Sequence, residues 1–169
     1  MILNKQIGVF LNLVHNRTKQ YISNIFQENG FNITPEQFLV MDALWNEGTM
    51  SQQQIAHTIM KDKNSVVKLI DGLEKKNLVK RVADKTDRRL NLIEVTQYSL
   101  EISNELKDIA IKAIDQIIKD IPQEEMYIFI KVLGKMAGNM NSETDLMAIA
   151  GIGTENGSYN SGETDKRVI

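Results

Sequence analysis

The stretch DKTDRRLNLIEVT, Asp84 to Thr96, changes character at its middle. Every residue from Asp84 to Arg89 is charged or hydroxylated, whereas Leu90 to Val95 is mostly aliphatic or β-branched. Just upstream, Val79-Lys80-Arg81-Val82-Ala83 is a second run of strand type. Two such runs joined by a short polar segment read as an antiparallel hairpin. Its connecting segment carries Arg88 and Arg89 side by side. An arginine pair on a narrow turn buries nothing, and its like charges repel. A protruding arginine can, however, enter a DNA minor groove, where the negative potential is enhanced. A nearby aspartate such as Asp87 can hold it extended through a bidentate pair.

Outward from the hairpin the chain reads as helix. Ile7, Phe10, Leu11, Val14, Tyr21, Ile25 and Phe26 recur at helical spacing, predicting a first helix from about residue 4 to Asn29, stopped by Gly30. Thr34-Pro35-Glu36-Gln37 is a capping box with proline at the first helical position. It opens a second helix to about Glu47, with Phe38, Met41, Leu44 and Trp45 inward and Gly48 at its end. Ser51-Gln52-Gln53-Gln54 is a second capping box, opening a short third helix through about Met60. Asp62 caps a fourth, which ends near Lys76 at Asn77, a residue that tolerates the left-handed conformation. After the hairpin, Thr96 caps a fifth helix of about 25 residues, judged by its 3.6-residue period. It carries Leu106, Ile109, Ala110, Ala113, Ile114, Ile117, Ile118 and Ile121, and Pro122 interrupts the pattern. A last helix carries Met126, Phe129, Ile130, Leu133, Met136 and Met140. Residues 142–169 are expected to be a flexible polar tail.

A short helix, a turn, a capped helix and then a hairpin make a winged helix-turn-helix. The fold class expected is mainly α with a small β-hairpin. One domain, or one domain with a dimerising arm, fits 169 residues. Hydrophobic content of 42% supports a core, and the absence of cysteine removes disulfides, thiolate zinc sites and thiol redox sensing. The opening MILNKQIGVFLN is broken by polar residues and is expected not to be a signal-peptide core. No run reaches the roughly 18 apolar residues of a membrane span. A cytoplasmic protein is expected.

The net charge of −2 hides an asymmetry. Lys61 to Arg89 holds ten basic and five acidic residues, a net of +5; the other 140 hold ten basic and seventeen acidic, a net of −7. A local basic excess on an acidic chain points to a polyanion at one site. On the fourth helix, Val66, Leu69, Ile70 and Leu73 share a core face. Asn64, Lys68 and Lys75 share the opposite one, with Ser65 and Val67 at its edges. An amide, amines, a hydroxyl and a methyl group are the chemistry that reads base edges in the major groove. The candidate DNA contacts are Ser51, Gln52, Lys63, Asn64, Ser65, Val67, Lys68, Lys75, Asp87, Arg88 and Arg89.

Asp87-Arg88-Arg89-Leu90-Asn91-Leu92-Ile93-Glu94-Val95-Thr96 resembles the wing signature of the MarR family, multiple antibiotic resistance regulators. Leu73-Glu74-Lys75-Lys76-Asn77-Leu78-Val79-Lys80-Arg81 resembles that family's Leu-Glu-Lys-x-Gly-Leu-Val-x-Arg. Asn77 stands where glycine is usual, Val95 where leucine is, and Ser99 where a glycine often follows. The resemblance covers about residues 4 to 141. It implies a homodimer in which residues 1–33 and 97–141 form a helical dimerisation region and 34–96 the winged DNA-binding domain. It also implies a recognition helix in the major groove, the arginine matching Arg89 in the minor groove and Asp87 orienting the wing. The DNA site would be pseudo-palindromic. The expected role is a transcriptional regulator, usually a repressor in this family.

Many relatives bind small aromatic acids between the dimer arm and the winged helix, which implies a small aromatic or anionic effector. Phe10, Tyr21, Phe38 and Trp45, with Phe26, are candidates to line its pocket, though all fit a core equally well. No cofactor and no metal are expected, because no ligand spacing is present. His15 and His57 fall in different helices and the carboxylates are scattered, so an enzyme is not expected. The competing reading is a winged helix used for protein–protein contact with little DNA affinity.

Overall fold

The computed structural model of the chain describes residues 3–83 and 91–140. Asp87, Arg88, Arg89 and the segment 142–169 lie outside the described residues. Among the described residues the elements follow in the order α1 (Leu3–Glu28), α2 (Pro35–Glu47), β1 (Met50–Ser51), α3 (Gln52–Thr58), α4 (Lys63–Lys75), β2 (Val79–Ala83), β3 (Asn91–Val95), α5 (Gln97–Ile117) and α6 (Gln123–Asn139). They fall into two units, one ending at Ile117 and the other starting at Ile118.

The helix boundaries follow the local caps. The Thr34 hydroxyl accepts from Gln37 N at 3.1 Å, and the Gln37 side chain accepts from Thr34 N at 3.2 Å. Ser51 and Gln54 repeat this reciprocal pair at 3.2 and 2.9 Å. Each box satisfies two backbone groups that the first helical turn leaves open. Gly30 and Gly48 end α1 and α2 at φ +86° and +80°, where a β-carbon would be strained. Asn77 takes φ +55° after α4, so the departure from glycine keeps the left-handed stop.

Among the described residues the sheet has three antiparallel strands in the order β1-β3-β2. Val79 pairs with Val95 and Ala83 with Asn91, which sets the hairpin register. The strand β1 was not legible in the sequence. Two residues cannot show an alternating pattern, and Met50 and Ser51 are extended because Ile93 and Leu92 pair with them. Thr96 closes the hairpin base: its hydroxyl donates to Asn77 O at 2.8 Å and accepts from Ser99 N at 3.1 Å, and its own N–H reaches Leu78 O at 3.1 Å.

The core of this unit gathers Phe26, Phe38, Val40, Met41, Leu44, Ile55, Val66, Ile70, Leu73, Val79, Ile93 and Leu106. On α5 the stripe Leu106, Ala110 and Ala113 is buried within the single chain. The apolar surface left open lies mainly on α1, at Ile7, Val9, Phe10, Leu13 and Val14, and on α6, at Ile128, Phe129 and Val132, with Tyr98, Leu100 and Ile111 exposed on α5. Among the described residues no helix is long and apolar enough to cross a membrane.

Candidate nucleic-acid interface

The interface is built on α4. Val66, Ile70 and Leu73 are fully buried, and Leu69 packs against the same core, so α4 is held along one face. Its start is fixed by Asp62, whose carboxylate accepts from Ser65 N at 2.9 Å and from the Ser65 hydroxyl at 2.6 Å. These Ser65 bonds hold the Asp62 carboxyl below its ordinary pKa. The Ser65 hydroxyl thus donates its proton inside the protein and faces outward only as an acceptor.

The opposite face carries Asn64, Lys68 and Lys75, all exposed, with Val67 half-buried at the edge; Lys63, in the first turn and to the side of this row, is exposed as well. None of the three lysines has an ion-pair partner among the described residues. From Asn64 to Lys75 this row spans about 16 Å at a rise of 1.5 Å per residue. Ser51 and Gln52 stand at the start of α3, both half-buried, and Ser51 is already engaged as the cap. Its availability to a ligand is correspondingly reduced.

Not every basic residue of the Lys61–Arg89 segment belongs to this face. Arg81, on β2, donates one guanidinium nitrogen to Asp71 Oδ1 at 2.5 Å and another to Glu74. Lys80 pairs with Glu94 across the strands at 2.8 Å. The Lys76 ammonium turns to Gln37 Oε1 at 2.7 Å. Three cations counted from the sequence as part of the patch are therefore structural. The Arg81 clamp was missed because Asp71 and Glu74 lie ten and seven residues away on another element, yet it fixes β2 against α4. Asp87, Arg88 and Arg89 fall between the paired ends Ala83 and Asn91, outside the described residues.

Of the four candidate effector residues, Phe10 and Tyr21 stand on α1 and Phe38 and Trp45 on α2. Phe38 is buried, with its ring 5.4 Å from Phe26 and 6.2 Å from Trp45. Trp45 donates its indole N–H to Ser99 Oγ at 3.0 Å and lies under the Lys107 ammonium at 5.6 Å. Tyr21 is half-buried on α1. Phe10 is 49% exposed, about 16 Å along α1 from Tyr21 by helical rise. Ser99, fully buried, is the departure from glycine in the family pattern, and a glycine there would leave the Trp45 indole N–H without this acceptor. Among the described residues no group of His, Cys, Asp and Glu is placed to hold a metal.

Comparison with known proteins adds to this geometry. Residues 33–90 match the model of the MarR family. The HTH-type transcriptional regulator MhqR of Bacillus subtilis is 25% identical over 134 residues, which span 79% of this chain and 91% of that protein. Among solved structures, one describes the mechanism for regulation of DNA binding of Bordetella bronchiseptica BpsR by 6-hydroxynicotinic acid. It superposes with a TM-score of 0.70 at 22% identity, over 78% of this chain and 93% of that one. Reduced AbfR bound to DNA superposes with a TM-score of 0.68 at 20% identity, over 84% and 96%.

Proposed function

We propose, from the premise that this chain carries a winged helix-turn-helix domain of the MarR family and has transcriptional regulators as relatives, that it is a cytoplasmic, homodimeric, sequence-specific DNA-binding repressor. The observation that carries this reading is the outward face of α4: Asn64, Lys68 and Lys75, exposed on a helix whose other face is locked into the core, with Lys63 exposed in its first turn. A rigid row of amines and an amide suits a major groove, where asparagine pairs with adenine and lysine with guanine. Lys75, furthest from the helix start, meets phosphate. Residues 34–96 form the DNA-binding domain. Residues 1–33 and 97–141 form the dimerisation region, which accounts for the apolar surface left open on α1 and α6. In a dimer two copies of α4 read half-sites about one helical turn apart on a pseudo-palindromic site.

Arg89 enters the flanking minor groove, Arg88 meets a phosphate and Asp87 braces the tip. Arg89→Ala then weakens binding most at sites with narrow, A/T-rich flanks, because that groove shape is what the arginine reads. DNA release is set by a small aromatic or anionic effector, with Phe10, Tyr21, Phe38 and Trp45 as the residues to test first. The deciding experiment is selection of bound duplexes from a random pool, followed by affinity against salt. A two-fold repeated motif with steeply salt-dependent binding is expected. Absence of binding to any duplex at low salt would leave the protein–protein module instead.

A further inference from the structure

The first turn of α4 fixes the direction of one hydrogen bond beside the outward face. Ser65 follows the Asp62 cap at the third helical position and is half-buried, at the edge of the row Asn64, Lys68 and Lys75. Its backbone N–H donates to one carboxylate oxygen of Asp62 at 2.9 Å, and its hydroxyl lies 2.6 Å from the other. An ionised carboxylate has no proton to give, so the one hydroxyl proton of Ser65 points at Asp62. The separation is that of a charge-assisted O–H···O bond. These bonds hold the Asp62 carboxyl below its ordinary pKa, so it is ionised at neutral pH.

Two lone pairs remain on Ser65 Oγ. Among the described residues no donor reaches them. Donation to an anion also polarises the hydroxyl, which makes its oxygen a better acceptor. A free serine hydroxyl rotates to meet either a donor or an acceptor and so distinguishes no base. Here the rotation is fixed. The donors on base edges in the major groove are cytosine N4 and adenine N6, whereas guanine O6 and thymine O4 are acceptors. An oxygen that only accepts bonds the first pair and meets lone pairs on the second. Ser65 and Lys68 lie three residues apart, so their side chains are neighbours about 5–6 Å apart, one or two base-pair steps of about 3.4 Å.

We propose that the Asp62–Ser65 pair is a specificity element, in which Ser65 selects adenine or cytosine over guanine and thymine, about one or two base pairs from the base that Lys68 contacts. Asp62 acts through Ser65 and is a positioning residue: it sets the polarity of the hydroxyl. The proposal rests on the reading of α4 as the DNA-recognition helix and adds the base chemistry that the start of that helix selects.

The test is selection of bound duplexes from a random pool, using the full chain and the variants Ser65→Ala, Lys68→Ala and Asp62→Asn. In each half-site the wild type is expected to prefer adenine or cytosine at one position by about five-fold, the worth of one hydrogen bond between neutral groups. Ser65→Ala is expected to make that position indifferent. Lys68→Ala is expected to keep it and to lose a neighbouring one. Asp62→Asn is the sharpest change. Asparagine caps a helix as well as aspartate does, so the start of α4 is kept. Its amide nitrogen, however, donates to Ser65 Oγ, and the hydroxyl proton turns outward. The preference at the same position is then expected to invert to guanine or thymine. Loss of the negative charge also raises affinity for all duplexes alike, which leaves base preference untouched. A Ser65→Ala motif identical to that of the wild type overturns the proposal and leaves DNA binding standing, as does an unchanged Asp62→Asn motif. Failure of the wild type to bind any duplex overturns the DNA reading itself and this element with it. Should Asp62→Asn fray the start of α4, Ser65→Ala alone still decides.

Discussion

The outward faces of α4 and α1 are both open to solvent in the single chain, and they are chemically opposite. On α4, Lys63, Asn64, Lys68 and Lys75 stand exposed, and no carboxylate among the described residues pairs with the lysines. On α1, Ile7, Val9, Phe10, Leu13 and Val14 stand exposed without a cover, Val9 and Val14 by more than 60%. A helix face that is cationic costs nothing in water and binds only when a polyanion arrives. An apolar face of that width is unfavourable in water at all times and calls for another protein surface. The two faces thus ask for different partners, one conditional and one permanent.

The strongest way to break this comparison is Val14→Glu. Its side chain touches little in the single chain, so helix content by circular dichroism should hold. Ultracentrifugation should report monomer. DNA affinity should fall by about a hundred-fold or more, because losing the second half-site removes the avidity of a linked pair. A dimeric Val14→Glu protein would show that α1 is covered in some other way.

Next come the residues of α4. Asn64→Ala and Lys68→Ala should each cost about 1–3 kcal/mol of binding and relax base preference at one position. Lys75→Ala should weaken all duplexes alike and lower the salt slope by about one unit per subunit. If Lys75→Ala changed base preference and Lys68→Ala did not, the roles along the face would be reversed.

A third change tests a residue that belongs to neither face. Ser99→Ala takes the acceptor from the indole N–H of the half-buried Trp45, which should lower stability by about 1 kcal/mol in chemical denaturation. Operator affinity of the folded fraction and the monomer–dimer equilibrium should be unchanged, so an effect on either would show that the α2–α5 contact is coupled to it.

The smallest effect expected is at the α1–α2 junction, where Lys19 pairs with Glu36. Burial alone raises the Glu36 carboxyl, but the hydrogen bond and charge of Lys19 outweigh it and hold the pKa below the ordinary value. A group with a depressed folded pKa contributes stability above its unfolded pKa and loses it as pH falls through the folded one. Lys19→Gln should therefore cost less than about 1 kcal/mol at neutral pH, the ceiling for a partly exposed pair. That difference from wild type should vanish in acid, as thermal melts at the two pH values would report.

Much of the fold was legible because its signals are local. The Thr34 and Ser51 boxes, the Asp62 cap and the Asn77 stop each join groups three to five residues apart, so the sequence alone determined where α2, α3 and α4 begin and where α4 ends. Helical period then assigned Val66, Leu69, Ile70 and Leu73 to the core and left Asn64, Lys68 and Lys75 outside. Charge was legible only as a sum. Which cations stay open and which are engaged by Asp71, Glu74, Glu94 or Gln37 was decided by tertiary packing, as were the strand β1 and the closure of the α5 stripe within its own chain. The reason is the distance along the chain: Lys76 meets Gln37 across 39 residues and Trp45 meets Ser99 across 54, and no local propensity carries that information.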